Sequence, residues 1–574
     1  MLEFVGDRRD AALIVGWRRR VDLARVRLGW SERQAVARPH GDGTSLAIAA
    51  PCDQLFTATE INEWALCAAL AAREPSRTPL LRAALVEAAS EQARNAELPD
   101  PPEIDEHLAL ARLERLAAAE RKPALRALLA AADIRNLSWL LDDEQLSFGG
   151  GASSVCLALT ELPEPSVMPW TELHDVPTAL VTGSNGKTTT VRLIASCLRA
   201  TGRRTGYSCT DGLFIDDEWI ARGDYSGPVG ARSVLRDQRV QAAVLETARG
   251  GILRRGLAVR RVGAAVVTNV SADHFGEYGI HDLDALADVK LTVGSVVGRG
   301  GLLVLNADDP VLRSKAGGLR RRFGRGPTLG WFARDARDPL LVAHRAGGGA
   351  TCGIRAGRLR IAQHGIEYDL GAVAELPLTV GGRADYNVAN LSAAALAAAA
   401  LGVTPAKIAS VYARFGEHPG DNPGRLMRYE RGGVHVIVDY AHNPEGLRAL
   451  LAVAEAMRDG NGRLGLILGH AGNRGDADIE RLAAAAAEFR PALVVLKELE
   501  DYLRGRVPGD VPRILRGALL RAGLPGSALP QRSSELEAVR SAMEWARPGD
   551  VLVLPVHGLT AREAVIAMLT APQA

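Results

Sequence analysis

Long apolar runs are missing from this 574-residue sequence: nothing approaches the eighteen or more consecutive apolar residues of a membrane-spanning helix. The first residues, MLEFVGDRRDAALIVGWRRR, carry acidic and basic side chains where an export signal needs an apolar core, so a cytoplasmic location without a membrane partner is expected. Cysteine is scarce. The six (Cys52, Cys67, Cys156, Cys197, Cys209 and Cys352) lie far apart with no C-x-x-C pair, which argues against a zinc site and against a disulfide framework and leaves buried free thiols. A surplus of either charge is also missing: 69 Lys and Arg stand against 67 Asp and Glu, and a net +2 gives no reason to expect a nucleic-acid partner. No repeat of fixed period is present.

What the chain does contain is enough for several cores. At about 150 residues per domain, its length predicts three or four domains, and the 47% hydrophobic and 24% charged fractions are ordinary for a globular protein. Residues 1–170 carry no chemical motif. There SLAIAAPCDQLF followed by TEINEWALCAALAARE reads as a strand running into a helix. The Leu-, Ala-, Arg- and Glu-rich stretch 106–134, broken at Pro123, reads as two helices, so an α+β domain is expected. The segment 161–177 holds four prolines and marks a boundary. From 178 on, the short apolar strands TALVTG, AAVLET, GAAVVTNV and GLLVLNADD alternate with helical patterns, which predicts an α/β central domain, 176–415, with a parallel sheet covered on both faces. After the Gly- and Pro-rich break GEHPGDNPGR at 416–425, the rhythm resumes with VHVIVDYAHNPEG, RLGLILGHAGNRG, PALVVLKE and DVLVLPVHG, predicting a smaller Rossmann-like domain over 422–574.

The strongest chemical signal is TALVTGSNGKTTTVRLIASCLRA, a strand, a tight glycine loop and a helix starting near Lys187. Gly183 and Gly186 let the backbone turn its amides, with Ser184 and Asn185 between them, toward an anion. Lys187 adds a point charge, and Thr188 or Thr189 can ligate magnesium. The general G-x-x-x-x-G-K-[ST] pattern is not fully met, because Val181 stands at its first position. A glycine turn with a chance lysine is the bland alternative, which the flanking strand and helix disfavour.

Further along, Glu246 ends the strand AAVLE and His274 follows VVTNV, both where loops leave the carboxyl edge of a parallel sheet. They are candidate magnesium ligands, Glu246 the better by chemistry because magnesium favours oxygen; a capping or salt-bridge role is the plain alternative. Lys290 in LADVKLTV falls on a predicted helix, where a lysine is ordinarily exposed or snorkelling. Arg249 and Arg254 in TARGGILRR offer bidentate donors to a carboxylate, with a basic surface loop as the alternative.

The short loop form G-[ST]-N-G-K-T-T is worded as in the Mur ligases. Downstream come TDGLFI, GDYSGP, LETARGGILRRGL, TNVSADHFGEYGI, LADVKLTV, VLNADDP, GRADYNVAN, NPGR, VDYAHNPEG and GHAGNRGDADIE, in the order of similar strings in cyanophycin synthetases. Over about 176–574 the chain therefore resembles the Mur-like half of that family, and ETARGGILR is typical of it rather than of peptidoglycan ligases. The resemblance implies an ATP- and magnesium-dependent ligase that activates a carboxylate as an acyl phosphate and joins it to an amine. It places the metal at Glu246 and His274, with Asp273 nearby and Thr188 beside the phosphates, and implies a carbamylated Lys290 as a further ligand.

The same resemblance puts nucleotide contacts at Asn306, Asn387 and Asn390, with Arg425 reaching the phosphates and Asp439 assisting, so that the last domain closes over the central one. Lys187, His274, Lys290 and Arg425 are thus the expected catalytic set. Substrate contacts are expected at Thr210, Arg249, Arg254, His442, Asn473, Arg474 and Asp476; the acidic residues Asp476, Asp478, Glu498 and Glu500 leave room for a basic amino acid as the amine, though a solvated face explains most of them. The expected partners are a peptide or amino-acid carboxylate, an amine, and a separate ATP-grasp enzyme, which cyanophycin synthetases contain as a module; a homo-oligomer is expected. The competing reading is a non-catalytic ATP-binding subunit of such a system.

Overall fold

The computed structural model describes residues 2–5, 11–30, 34–40, 43–73, 104–272, 275, 279–324, 326–458, 460–499 and 502–571. Two separate apolar cores occupy the region before the central domain, where one domain was expected. In the first, helices Ala11–Arg27, Leu55–Arg73 and Glu106–Glu120 pack with a small antiparallel sheet. Leu13, Trp17, Val21 and Ala24 recur at helical spacing and face Ile61, Trp64 and Leu113. The second core joins helix Pro123–Ile134 to the antiparallel strands Trp139–Leu141, Gln145–Phe148 and Val155–Ala158, through Leu128, Leu146 and Phe148. It is tied to the central domain by the Ala152 amide, which donates to the Val240 carbonyl at 2.7 Å, and by the Arg236–Asp142 ion pair at 2.5 Å.

The central sheet has eleven strands, and Thr178–Thr182 lies near its middle between Ala242–Glu246 and Val262–Val267. Its seven inner strands are parallel; an antiparallel pair closes each edge, Gly212–Ile215 with Glu218–Arg222 on one side and Arg358–Gln363 with Ile366–Ala372 on the other. Successive residues of one strand enter opposite cores: Ala179 and Val181 belong to one, Leu180 to the other. Both faces are buried, so the strands read as continuous apolar runs. Helices Lys187–Arg199 and Asp385–Ala400 cover the first face. In the latter, buried alanines from Ala393 to Ala398 let the helix lie close to the sheet.

The last domain is a six-stranded sheet, parallel except for its edge strand Met427–Arg431. Its strand Val434–Asp439 ends at the domain interface, beside the phosphate loop. Among the described residues, no helix is long and apolar enough to cross a membrane.

Candidate functional site

The phosphate loop sits between the central strand Thr178–Thr182 and helix Lys187–Arg199. Its glycines are required by geometry. At Gly183, φ is +151° and a Cβ would lie 1.8 Å from Thr268 Oγ; at Gly186, φ is +82° and a Cβ would lie 2.2 Å from Asn390 Oδ1. Any side chain at either position is strained and blocked. Thr268 Oγ donates to the Asn185 carbonyl at 2.6 Å, and the Ser184 amide donates to the Asn269 carbonyl at 3.0 Å, so the loop is held by the neighbouring strand end. Lys187 begins the helix and donates to the Ser184 carbonyl at 3.0 Å. A helix N-terminus, a lysine and a glycine turn together favour an anion.

Glu246 is 1% exposed at the end of its strand. One carboxylate oxygen accepts from Thr188 Oγ at 2.8 Å, and the other accepts from Thr210 Oγ at 3.0 Å. This all-oxygen set, beside the phosphate loop, suits magnesium, which prefers hard oxygen donors. Lys290 lines the same space and is 4% exposed, not the snorkelling surface lysine that its helix alone suggests. Asp273 and His274 lie outside the described residues. Among the described residues, no group of three or more His, Cys, Asp or Glu is gathered in the manner of a metal cluster.

Two cavities meet here. One of about 540 Å³ is lined by Asn185, Gly186, Thr188, Thr189, Asn306 and Asn387, closed from the other domain by Arg425 and Asp439. One of about 830 Å³ is lined by Arg249, Arg254 and Lys290 of the central domain and by Asn473 and Arg474 of the last. Ser184, Lys187, Thr210, Glu246, Tyr440 and His442 belong to both. The smaller cavity therefore holds the amide-rich wall and the larger one the basic wall, and the phosphate loop forms their junction.

In the smaller cavity the amides are mutually braced. Asn306 Nδ2 donates to the Thr268 carbonyl at 3.0 Å; Asn387 Nδ2 donates to the Leu378 carbonyl at 3.0 Å and its Oδ1 accepts from Asn390 at 3.0 Å. Arg425 lies over the Tyr440 ring, 4.2 Å from its centroid, and reaches Thr188 Oγ at 3.5 Å. Asp439 accepts from the amides of Leu426 and Ala441, each at 2.7 Å; burial pushes its carboxyl pKa up, against the pull of Arg425 and these amides. Asn443 Nδ2 donates to Asn185 Oδ1 at 2.9 Å, joining the last domain directly to the phosphate loop.

Asp476 is not brought to the site. It pairs with Arg506 at 2.6 Å and does not line either cavity, because Arg506 clamps the turn that Asp476 follows. Asp478 pairs with Arg481, Glu498 accepts from the Gly509 amide at 2.6 Å, and Glu500 lies outside the described residues.

Several contributors carry no sequence signal. Asp211 is buried between Arg192 at 2.7 Å and Arg562 at 2.6 Å, the latter from the last helix of the chain. Burial pushes the Asp211 pKa up, but Arg425, Arg192 and Arg562 outweigh it and hold the carboxyl well below its ordinary range. His557 lines the larger cavity, its Nδ1 3.3 Å from the buried Lys497 ammonium and its Nε2 3.1 Å from the Ala441 carbonyl. A lysine only donates, so Nδ1 accepts and Nε2 carries the hydrogen. Burial, then the Lys497 charge, push this histidine down to about 4.

The chain matches the model of the Mur ligase middle domain over residues 181–398 and that of the Mur ligase, glutamate ligase domain over 424–555. It is 34% identical over 381 residues to a cyanophycin synthetase of Synechocystis sp. (strain ATCC 27184 / PCC 6803 / Kazusa), covering 66% of this chain and 42% of that one. It is 32% identical over 383 residues to a UDP-N-acetylmuramate--L-alanine ligase of Kineococcus radiotolerans, covering 65% of this chain and 70% of that one. Its fold is similar to that of the Mycobacterium tuberculosis folylpolyglutamate synthase complexed with ADP, with a TM-score of 0.51 and 17% identity over 70% of this chain and 91% of that one. The chain thus spans about two-fifths of the length of the cyanophycin synthetases it matches.

Proposed function

The chain belongs to the Mur ligase family, and from that premise we propose that it is an ATP-dependent carboxylate–amine ligase, forming ADP and an amide. The γ-phosphoryl group passes to a carboxylate oxygen, and the amine nitrogen displaces phosphate from the resulting acyl phosphate. One arrangement carries this reading: the phosphate loop, with Lys187, stands where a cavity suited to a nucleotide opens into a second, basic cavity. Glu246 and Thr188, with a carbamylated Lys290 beside them, would hold magnesium, which would supply charge neutralisation between two anions that must approach. Arg425 brings a further fixed cation from the last domain. Arg249 and Arg254 line the wall on which the carboxylate substrate, the acyl donor, is bound. Closure of the two domains keeps water from the acyl phosphate.

The similarity to cyanophycin synthetases supports an acidic peptide as the carboxylate donor, with a separate ATP-grasp enzyme supplying it. The test incubates the purified chain with ATP, magnesium, acidic peptides and an amine panel, and follows ADP and product mass. ADP formation that requires one carboxylate–amine pair and disappears in Lys187→Ala is expected. ATP binding with no turnover on any pair points instead to a non-catalytic nucleotide-binding subunit. Intact-mass analysis with bicarbonate present is expected to show the carbamate on Lys290; a bare amine there removes that ligand from the scheme.

A further inference from the structure

Lys497 lines neither cavity, yet it is a buried cation in contact with His557, which lines the larger one. It ends the apolar strand Leu493–Lys497. Its stem passes against Gly469, where a Cβ would lie 2.8 Å from Lys497 Cγ. The nitrogen meets three acceptors: a carboxylate oxygen of Glu535, the Pro555 carbonyl and, at 3.3 Å, His557 Nδ1. Three acceptors match the three hydrogens of an ammonium. Glu535 opens helix Glu535–Trp545 and is buried as well. Burial raises its pKa, but Lys497 and His557 outweigh that and hold the carboxyl well below its ordinary range.

Two segments hang on this ion pair. One Glu535 oxygen accepts from the His557 amide at 2.9 Å and the other from the Gly558 amide at 2.7 Å. Those amides lead into helix Leu559–Thr570, which carries Arg562 to Asp211 of the central domain. His557, with Nδ1 on Lys497, turns Nε2 to the Ala441 carbonyl at 3.1 Å and lays its ring edge-on to Tyr440, 5.2 Å between centroids. Ala441 belongs to the turn that carries Tyr440 against Arg425 and Asn443 to Asn185 of the phosphate loop. The stretches by which the last domain meets the phosphate loop and Asp211 are thus both tied to one buried cation. Desolvation makes such a pair costly, and apolar replacement of a buried pair is often neutral or stabilising. The stability of the fold alone therefore does not require a lysine after Leu493, Val494, Val495 and Leu496.

We propose that Lys497 is a positioning residue, which through Glu535 and His557 sets the two segments that dock the last domain on the phosphate loop and on Asp211. Its effect on nucleotide rests on the ligase reading; its effect on docking is measured without nucleotide. In the full chain, Lys497→Met/Glu535→Gln removes both charges and keeps an amide acceptor. Its melting temperature is expected at or above that of the wild type, while hydrogen exchange quickens over 439–446 and 557–563. Affinity for a non-hydrolysable ATP analogue with magnesium is expected to fall at least about ten-fold. The histidine supplies a signature that a merely structural lysine would not move. Lys497, Glu535 and His442 are the charged or titratable groups acting on His557, and Glu535 lies 3.6 Å from its Nδ1. Nitrogen-15 shifts of histidine-labelled wild type are expected to show a neutral ring with its hydrogen on Nε2, and those of Lys497→Met a ring protonated on both nitrogens at pH 7. A wild-type ring with its hydrogen on Nδ1, or one that stays neutral in Lys497→Met, overturns the proposal. So does wild-type exchange over both segments in the double variant, or a double variant that melts far below the wild type or does not fold, since the pair is then a stabilising element. Failure of the wild type to bind the nucleotide, with the exchange and nitrogen-15 results as expected, removes the ligase reading and leaves the positioning role standing.

Discussion

At Glu246, a single charge has two separable tasks. Its carboxylate accepts hydrogen bonds from two threonine hydroxyls, and under the proposed function it also balances a metal. Glu246→Gln keeps an acceptor and nearly the same volume but removes the charge. The expected outcome is a loss of turnover of at least about 100-fold, typical of removing one electrostatic contributor to a transition state, with the melting temperature little changed. Parallel measurement of kcat and thermal unfolding checks it, and retained turnover removes Glu246 from the metal site. His557 gives a pH prediction. A histidine depressed from its ordinary 6.5 to about 4 takes up its proton more readily when unfolded. Its contribution to stability is thus complete above about 6.5 and is lost as pH falls toward 4. The shift sets an upper limit of about 3 kcal/mol. Denaturant titrations of the wild type and of His557→Gln are expected to diverge at neutral pH and converge near pH 4.

The positions that meet at the candidate site were legible where a residue type, a turn and an element end coincided in the chain. Lys187, Thr188 and Glu246 are of this kind, since each sits at the junction of an apolar strand or glycine loop with its neighbour. Arg192 and Arg562 were not, because a helical arginine reads as solvent-facing until a carboxylate nineteen or several hundred residues away is brought against it. Asp476 misled for the converse reason: the acidic pattern was visible, but the arginine that consumes it comes from a different turn.

At the scale of elements, the alternation of apolar strands with helical stretches exposed the parallel sheet. Its edge hairpins were hidden because their alternation is short and one face is solvated, as the burial of Glu218–Arg222 shows. The junction of strand Thr178–Thr182 with helix Lys187–Arg199 depends on Gly186 in the left-handed region, against Asn390 of helix Asp385–Ala400. Gly186→Ala must push the loop and that helix apart or accept a left-handed alanine, a cost of roughly 1–3 kcal/mol. Nucleotide affinity is expected to fall by well over ten-fold while the far edge of the sheet stays intact. Hydrogen exchange localises the effect: faster exchange confined to the loop and the start of both helices is expected, and uniform loosening of the sheet counts against it.

For the whole molecule, both cavities of the candidate site are lined from two domains, and two kinds of ion pair cross that boundary. Arg222 and Glu563 meet at 2.7 Å but are 62% and 39% exposed, so water screens them and Arg222→Ala is expected to change stability by less than about 1 kcal/mol. Asp211 differs, because its two arginine partners are as buried as it is and only Arg562 belongs to the last domain. Asp211→Asn leaves Arg192 and Arg562 facing each other without a counter-charge, a change that costs about 3–5 kcal/mol when a buried pair loses one partner. That penalty is relieved by opening, since Arg562 can then be solvated away from Arg192. The folded value of Asp211 is depressed, so its contribution is present above the ordinary aspartate value near 3.8 and is lost as pH falls below it. Small-angle scattering of Asp211→Asn at neutral pH is therefore expected to show a larger radius of gyration than the wild type, and the wild type is expected to approach it only under strong acid. An Asp211→Asn variant as compact as the wild type at neutral pH would show that closure is held by the phosphate-loop contacts of Asn443 instead.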